Sequence, residues 1–232
     1  MSIHSRRGFL SGLVCGCATA ASPWIASPVF AASDKTKTSV TPDQAIELLK
    51  EGNAAFRRGS CTVSGAPGRL PELVGGQAPF AVIVGCSDSR SPPGELFNRG
   101  LGDLFIVRVA GNTVDSVGLG TIEYGTAVLG APLVLVLGHT QCGAVDAAVK
   151  VVKDNARFPG SIGSLVAPIV PAVKSLKGID DLVNRAVRAN VQRVVSRLRS
   201  AKPLLAKSVA DGKVKIVGAV YDLSSGKVDF DL

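Results

Sequence analysis

The chain has 232 residues, 46% hydrophobic and 19% charged, enough for one domain with a full core and unlike a disordered or fibrous protein. Its 26 basic and 18 acidic residues give a formal net charge of +8. The densest basic set, Arg185, Arg188, Arg193, Arg197 and Arg199, shares helical spacing with Val183, Val187, Val191, Val194 and Leu198 and has no interleaved aromatic residues. That pattern describes a solvated helix face, and the absence of interleaved aromatics leaves nucleic-acid binding only a weak alternative, so no nucleic-acid partner is expected.

Residues 1–32 read as an export leader. Ser5-Arg6-Arg7-Gly8-Phe9-Leu10 is a twin-arginine pattern, and the apolar run 9–21 has the length of a signal-peptide core but is short for a bilayer span. Pro23 and Pro28 break the run, and Val29-Phe30-Ala31 or Phe30-Ala31-Ala32 offers a small-residue cleavage site. The expected destination is the periplasm or the exterior. An uncleaved anchor is one alternative; a lipoprotein acylated at Cys17 is another, although Val14-Cys15-Gly16 is a poor box for it. No stable membrane span is expected after processing, because the later apolar runs at 80–85 and 133–138 are only strand-length.

Residues 33–41 are a Lys/Thr-rich linker, and 42–232 read as a single domain. Thr41-Pro42-Asp43-Gln44 predicts a helix start, with Thr41 as cap, Pro42 first and Gln44 three residues after the cap. The helix should run to about Arg58, followed by an irregular Gly/Pro-rich arm over 59–79. Unbroken apolar runs at 80–84, 104–109, 133–137 and 214–220 predict strands buried on both faces, with 227–232 as an antiparallel edge. Helical patterns at 117–129, 144–152, 165–176 and 182–204 lie between them. The expected fold is α/β, a mostly parallel central sheet flanked by helices with an N-terminal helical arm. Ligands of such folds bind beyond the carboxyl ends of the strands, and here two strands run into Cys86 and His139.

Of five cysteines and two histidines, the domain keeps Cys61, Cys86, Cys142 and His139. His139-Thr140-Gln141-Cys142 puts an imidazole and a thiol on one strand-to-helix turn, and Cys86 comes from the tip of another strand. Two thiolates and one imidazole at convergent strand ends match a zinc site with its fourth position open. A buried cysteine alone is often only a small hydrophobe, and a Cys86–Cys142 disulfide is the competing reading in an exported protein. In Cys86-Ser87-Asp88-Ser89-Arg90, a carboxylate held by a guanidinium is placed to accept a hydrogen bond from a nucleophilic water.

Cys86-x-Asp88-x-Arg90 and Gly138-His139-x-x-Cys142-Gly143 resemble the two metal motifs of the β-class carbonic anhydrases. Gly102-Asp103-Leu104-Phe105, Arg108-Val109-Ala110-Gly111-Asn112 and Ile122-Glu123-Tyr124 resemble that family's intervening segments. The resemblance implies one Zn²⁺ per chain on Cys86, His139 and Cys142, with Asp88 taking the fourth position only in a closed state. It implies Asp88 and Arg90 as the catalytic pair, and Gln77, Phe105, Gly111 and Tyr124 as substrate-pocket residues, Tyr124 from a neighbouring subunit. The implied activity is reversible hydration of CO₂ to bicarbonate and a proton, in a homodimer or a dimer-based higher assembly. Ala144 departs from the family, where many members have a second glycine. Ile83 stands where a subgroup with a regulatory bicarbonate site has Trp. The rival readings are a zinc hydrolase of the same fold acting on CS₂ or COS, a non-catalytic zinc- or bicarbonate-binding homologue, and a disulfide protein.

Overall fold

The computed structural model describes residues 37–60, 67–178 and 180–232, all within the unit Ala31–Leu232. The leader and Cys61 lie outside the described residues. Helix α1 (Pro42–Arg57) starts as expected: the Thr41 hydroxyl accepts from the Gln44 N–H, and the Gln44 side chain accepts from the Thr41 N–H. A short helix α2 (Leu70–Val74) interrupts the arm that the sequence reads as irregular.

Four parallel strands follow: β1 (Ala81–Gly85), β2 (Leu104–Arg108), β3 (Leu133–His139) and β4 (Lys215–Tyr221). The short β5 (Val228–Asp229) pairs antiparallel with β4, so the predicted antiparallel edge forms. The order across the sheet is β2-β1-β3-β4-β5. The chain leaves β1 toward one side for β2 and then crosses to the other side for β3. The sheet therefore reverses its winding between β1 and β3, which opens a crevice beyond their carboxyl ends.

Between the strands run α3 (Pro93–Leu96), α4 (Ser116–Glu123), α5 (Gly143–Asp154), α6 (Ile162–Val166), α7 (Val170–Lys174), α8 (Leu182–Arg199) and α9 (Leu204–Ala210). Two predicted helices are cut by proline. The 165–176 segment becomes α6 and α7, separated by Ala167-Pro168-Ile169, and the 182–204 segment stops at Arg199 ahead of Pro203. Proline lacks the N–H that a helix interior requires, and its ring obstructs the preceding turn. Past Glu123, the 117–129 helix widens into a π-turn over Tyr124–Val128.

Alternation along the strands divides the core into two layers. Val82, Val84, Val134, Val136, Ile216 and Val220 face helices α5, α7, α8 and α9. Ala81, Ile83, Leu133, Leu135 and Leu137 face Ala45 and Leu49 of α1 and Leu96 of α3. Both β1 and β3 are buried throughout, which accounts for their unbroken apolar runs. No helix among the described residues is long and apolar enough to cross a membrane.

Candidate metal centre

Cys86 follows directly on β1, and the next residues fold back as a tight loop. Ser91 closes it, donating both its N–H and its hydroxyl to the Asp88 carbonyl, each at 3.0 Å. Arg108, in register with Gly85 at the end of β2, donates Nε to the Cys86 carbonyl at 2.7 Å and Nη2 to the Asp88 carbonyl at 2.6 Å. One guanidinium thus satisfies two loop carbonyls and fixes the backbone on either side of Ser87.

His139 is the last residue of β3 and is 1% exposed. Its Nδ1 lies 2.9 Å from the Thr140 carbonyl. A carbonyl only accepts, so Nδ1 carries the proton and the Nε2 lone pair is free. That Nε2 is buried without a hydrogen-bond partner. Cys142 caps the N-terminus of α5, and the turn leading to it places Gln141 in the left-handed region at φ 55°.

The ligand atoms of Cys86, His139 and Cys142 all lie within 4.8 Å of one another, and all three residues are buried. The two sulfurs are 4.0 Å apart and both cysteines are free. That is far beyond the ~2.05 Å of a disulfide. It is close to the ~3.8 Å separation of two sulfurs each ~2.3 Å from a tetrahedral zinc. The donor types, the spacing and the unpartnered Nε2 fit zinc.

Without a cation the two thiols share one charge. The contact with Cys142 pulls Cys86 down against the cost of burial, with the nearby His139 and the Gly111 N–H adding to the effect. Cys142 is pushed up by that same contact with Cys86 and by burial. Burial lowers His139, but the nearby Cys86 sulfur, the Thr140 carbonyl and the Asp88 carboxylate more than offset it, so its net shift is upward.

Asp88 stands beside this triad, its Oδ2 3.8 Å from His139 Nε2. Arg90 holds it in a two-pronged grip, Nε to Oδ1 at 2.9 Å and Nη2 to Oδ2 at 2.7 Å, and the Arg90 N–H adds 2.9 Å to Oδ1. These hydrogen bonds hold the Asp88 carboxyl well below the usual carboxylate range. Asp88 is thus turned to Arg90.

Of the expected pocket residues, Gly111 is at the centre, its N–H donating to Cys86 Sγ at 3.2 Å. Phe105 and Tyr124 stack with ring centroids 6.1 Å apart. Phe105 packs at the margin of the core cluster that contains Cys86 and Cys142, and Tyr124 is 47% exposed. Gln77 is exposed ahead of β1 and makes no side-chain hydrogen bond among the described residues. Sequence reasoning missed the supporting roles of Arg108, Asn184 and Asn190. Arg108 was readable as a charge inside an apolar strand, and Asn190 as a polar residue on the valine face of a helix.

A family model described as carbonic anhydrase matches residues 81–228. Carbonic anhydrase 2 of Mycobacterium tuberculosis is 37% identical over 201 residues, covering 82% of this chain and 92% of that protein. Among solved structures, the Coccomyxa β-carbonic anhydrase in complex with acetazolamide superposes with a TM-score of 0.65 at 25% identity, covering 78% of this chain and 83% of that one. A tetrameric β-carbonic anhydrase from Sordaria macrospora gives 0.64 at 24% identity, over 81% and 96% of the two chains. With that family match over most of the chain, and with Cys86, His139 and Cys142 brought together beyond the ends of β1 and β3, the chain belongs to the β-carbonic anhydrase family.

Proposed function

We infer that this chain is a zinc-dependent carbonic anhydrase, hydrating CO₂ reversibly to bicarbonate and a proton. The observation that carries the reading is the buried Cys86–His139–Cys142 triad with the Arg90-held carboxylate of Asp88 beside it. Cys86, His139 and Cys142 would hold the zinc, which when bound lowers the pKa of water and makes a hydroxide nucleophile available near neutral pH.

Asp88 stays ionised, so a water hydrogen-bonded to it must donate, leaving its lone pair turned toward the substrate carbon. A carboxylate held this far below its usual range orients water well and keeps a proton poorly, so Asp88 positions the nucleophile and the proton passes on to solvent. Arg90 keeps the carboxylate out of the metal position. Phe105 and, from a neighbouring subunit, Tyr124 supply apolar surface for CO₂, and Gln77 offers an amide to orient it. The Asp88–Arg90 pair favours an enzyme over a binding homologue, which has no use for it.

The same reading extends to assembly and address. No strand among the described residues pairs with the outer edge of β2, and Ile106 on it, Val117 on α4 and Tyr124 beyond it are 40%, 75% and 47% exposed. An open edge flanked by apolar side chains favours pairing with a second copy. The relative from Sordaria macrospora is tetrameric. The twin-arginine leader directs the chain to the periplasm, a route that suits a metal site filled before export. Zinc content and CO₂ hydration measured on the purified mature chain test the function. One zinc per chain with hydration supports it. Zinc without hydration favours a binding homologue or, where CS₂ or COS is turned over, that hydrolase.

A further inference from the structure

One face of α8 backs onto the segment that carries His139 and Cys142 and onto Gly111, whose N–H meets the Cys86 sulfur. At its start Asn184 Oδ1 accepts from the Gln141 N–H at 3.2 Å, inside the turn between His139 and Cys142. Further along, Val187 and Val191 press on Gly138, where a Cβ would lie 3.0 and 2.7 Å from their methyl groups. Between them Asn190, 1% exposed, donates Nδ2 to the Gly111 carbonyl at 2.9 Å.

Gly111 has φ +70°, and a Cβ there would meet the Ile169 side chain at 2.6 Å. In that left-handed conformation its N–H reaches Cys86 Sγ, 3.2 Å away, while its carbonyl meets α8. Without Asn190 that carbonyl would be a buried acceptor lacking its donor. An N–H aimed at a thiolate draws charge from the sulfur and holds it in place, as partners of metal ligands generally do.

We propose that Asn190 is a positioning residue of the metal centre: it pins Gly111 from behind so that the Gly111 N–H stays on the Cys86 sulfur. The inference rests on the metal-centre reading above. The full chain is loaded with cadmium-113, a thiophilic stand-in for zinc, and the scalar coupling between the metal and the Gly111 amide proton is recorded by NMR. That coupling passes only through an N–H···S–metal path. It is expected in the parent and lost in Asn190→Ala, with cadmium still bound and the zinc dissociation constant raised about 10- to 100-fold. Val187→Ala, which removes packing from the same face without touching Gly111, keeps the coupling. If the alanine variant does not fold, Asn190→Ser is read in the same way. Bound cadmium without coupling in the parent, coupling that survives in the Asn190 variant, or loss in Val187→Ala as well would overturn the proposal. A parent chain that binds no cadmium at all would overturn the metal-centre reading, and this inference with it.

Discussion

At the scale of single residues, the site is a problem of where charge sits. Two thiolates offset the +2 of a zinc ion and neutral His139 adds nothing, so the centre is formally uncharged. A three-histidine site keeps its full charge and brings water to a pKa of about 7. Hydration here should therefore rise through a higher pH than in such a site, with little activity in mildly acidic buffer; a flat profile would contradict this. Arg90→Ala removes no ligand but frees Asp88 to turn onto the metal. It is expected to keep zinc while losing on the order of 10²-fold in kcat/KM, read by stopped-flow hydration beside a metal assay. Loading the apo chain should release protons, because Cys142 is a thiol that must be deprotonated to ligate. About one proton per zinc is expected in weakly buffered calorimetry at pH 7, with affinity falling as pH is lowered because protons compete with the metal for the ligand atoms. His139→Ala should lose zinc and activity together, since no other histidine lies in the domain.

At the scale of elements, α1 is fastened to the sheet by one buried amide. Asn53 donates Nδ2 to the Leu96 carbonyl at 3.2 Å and to the Gly226 carbonyl at 3.0 Å, and its Oδ1 accepts from the Val228 N–H at 2.9 Å. It therefore ties the helical arm to α3, to the β4–β5 turn and to the edge strand at once. Asn53→Ala leaves these groups without partners, each costing about 1–3 kcal/mol if it stays buried. A lower urea midpoint with zinc binding retained is expected, because α1 lies on the sheet face opposite the helices behind Cys86 and Cys142. Loss of zinc in a still-folded variant would show that the arm supports the metal centre directly.

At the scale of the whole molecule, assembly and export are separable by mutation. Ile106→Lys places a charge on the open β2 edge and should shift the sedimenting species toward monomer. If Tyr124 acts across subunits, hydration falls with it while zinc stays bound; a monomer of undiminished activity would show that each site is complete in one chain. Replacing Arg6 and Arg7 with lysine should hold the protein in the cytoplasm, because the arginine pair is what the export receptor reads. Periplasmic delivery that survives this change and fails when the general secretion route is blocked would assign the other pathway.

The sequence by itself determined the element types, because the unbroken apolar runs and the Thr41–Gln44 capping box are local signals. It also determined the donor set, since only a few cysteines and one histidine remain past the leader and their motifs sit at strand ends. The prolines at 168 and 203 were equally local, yet the apolar periodicity around them concealed the breaks they impose. What only the tertiary structure decided is the order β2-β1-β3, which puts the ends of β1 and β3 side by side although Cys86 and His139 are far apart in sequence. Strand order follows from which faces can be buried together, a property of the whole packed sheet that no local period encodes. The same is true of Arg108 on the Cys86–Asp88 backbone and of Asn190 on Gly111. Each is a contact between segments distant in sequence, and it exists only once the crevice between β1 and β3 has formed.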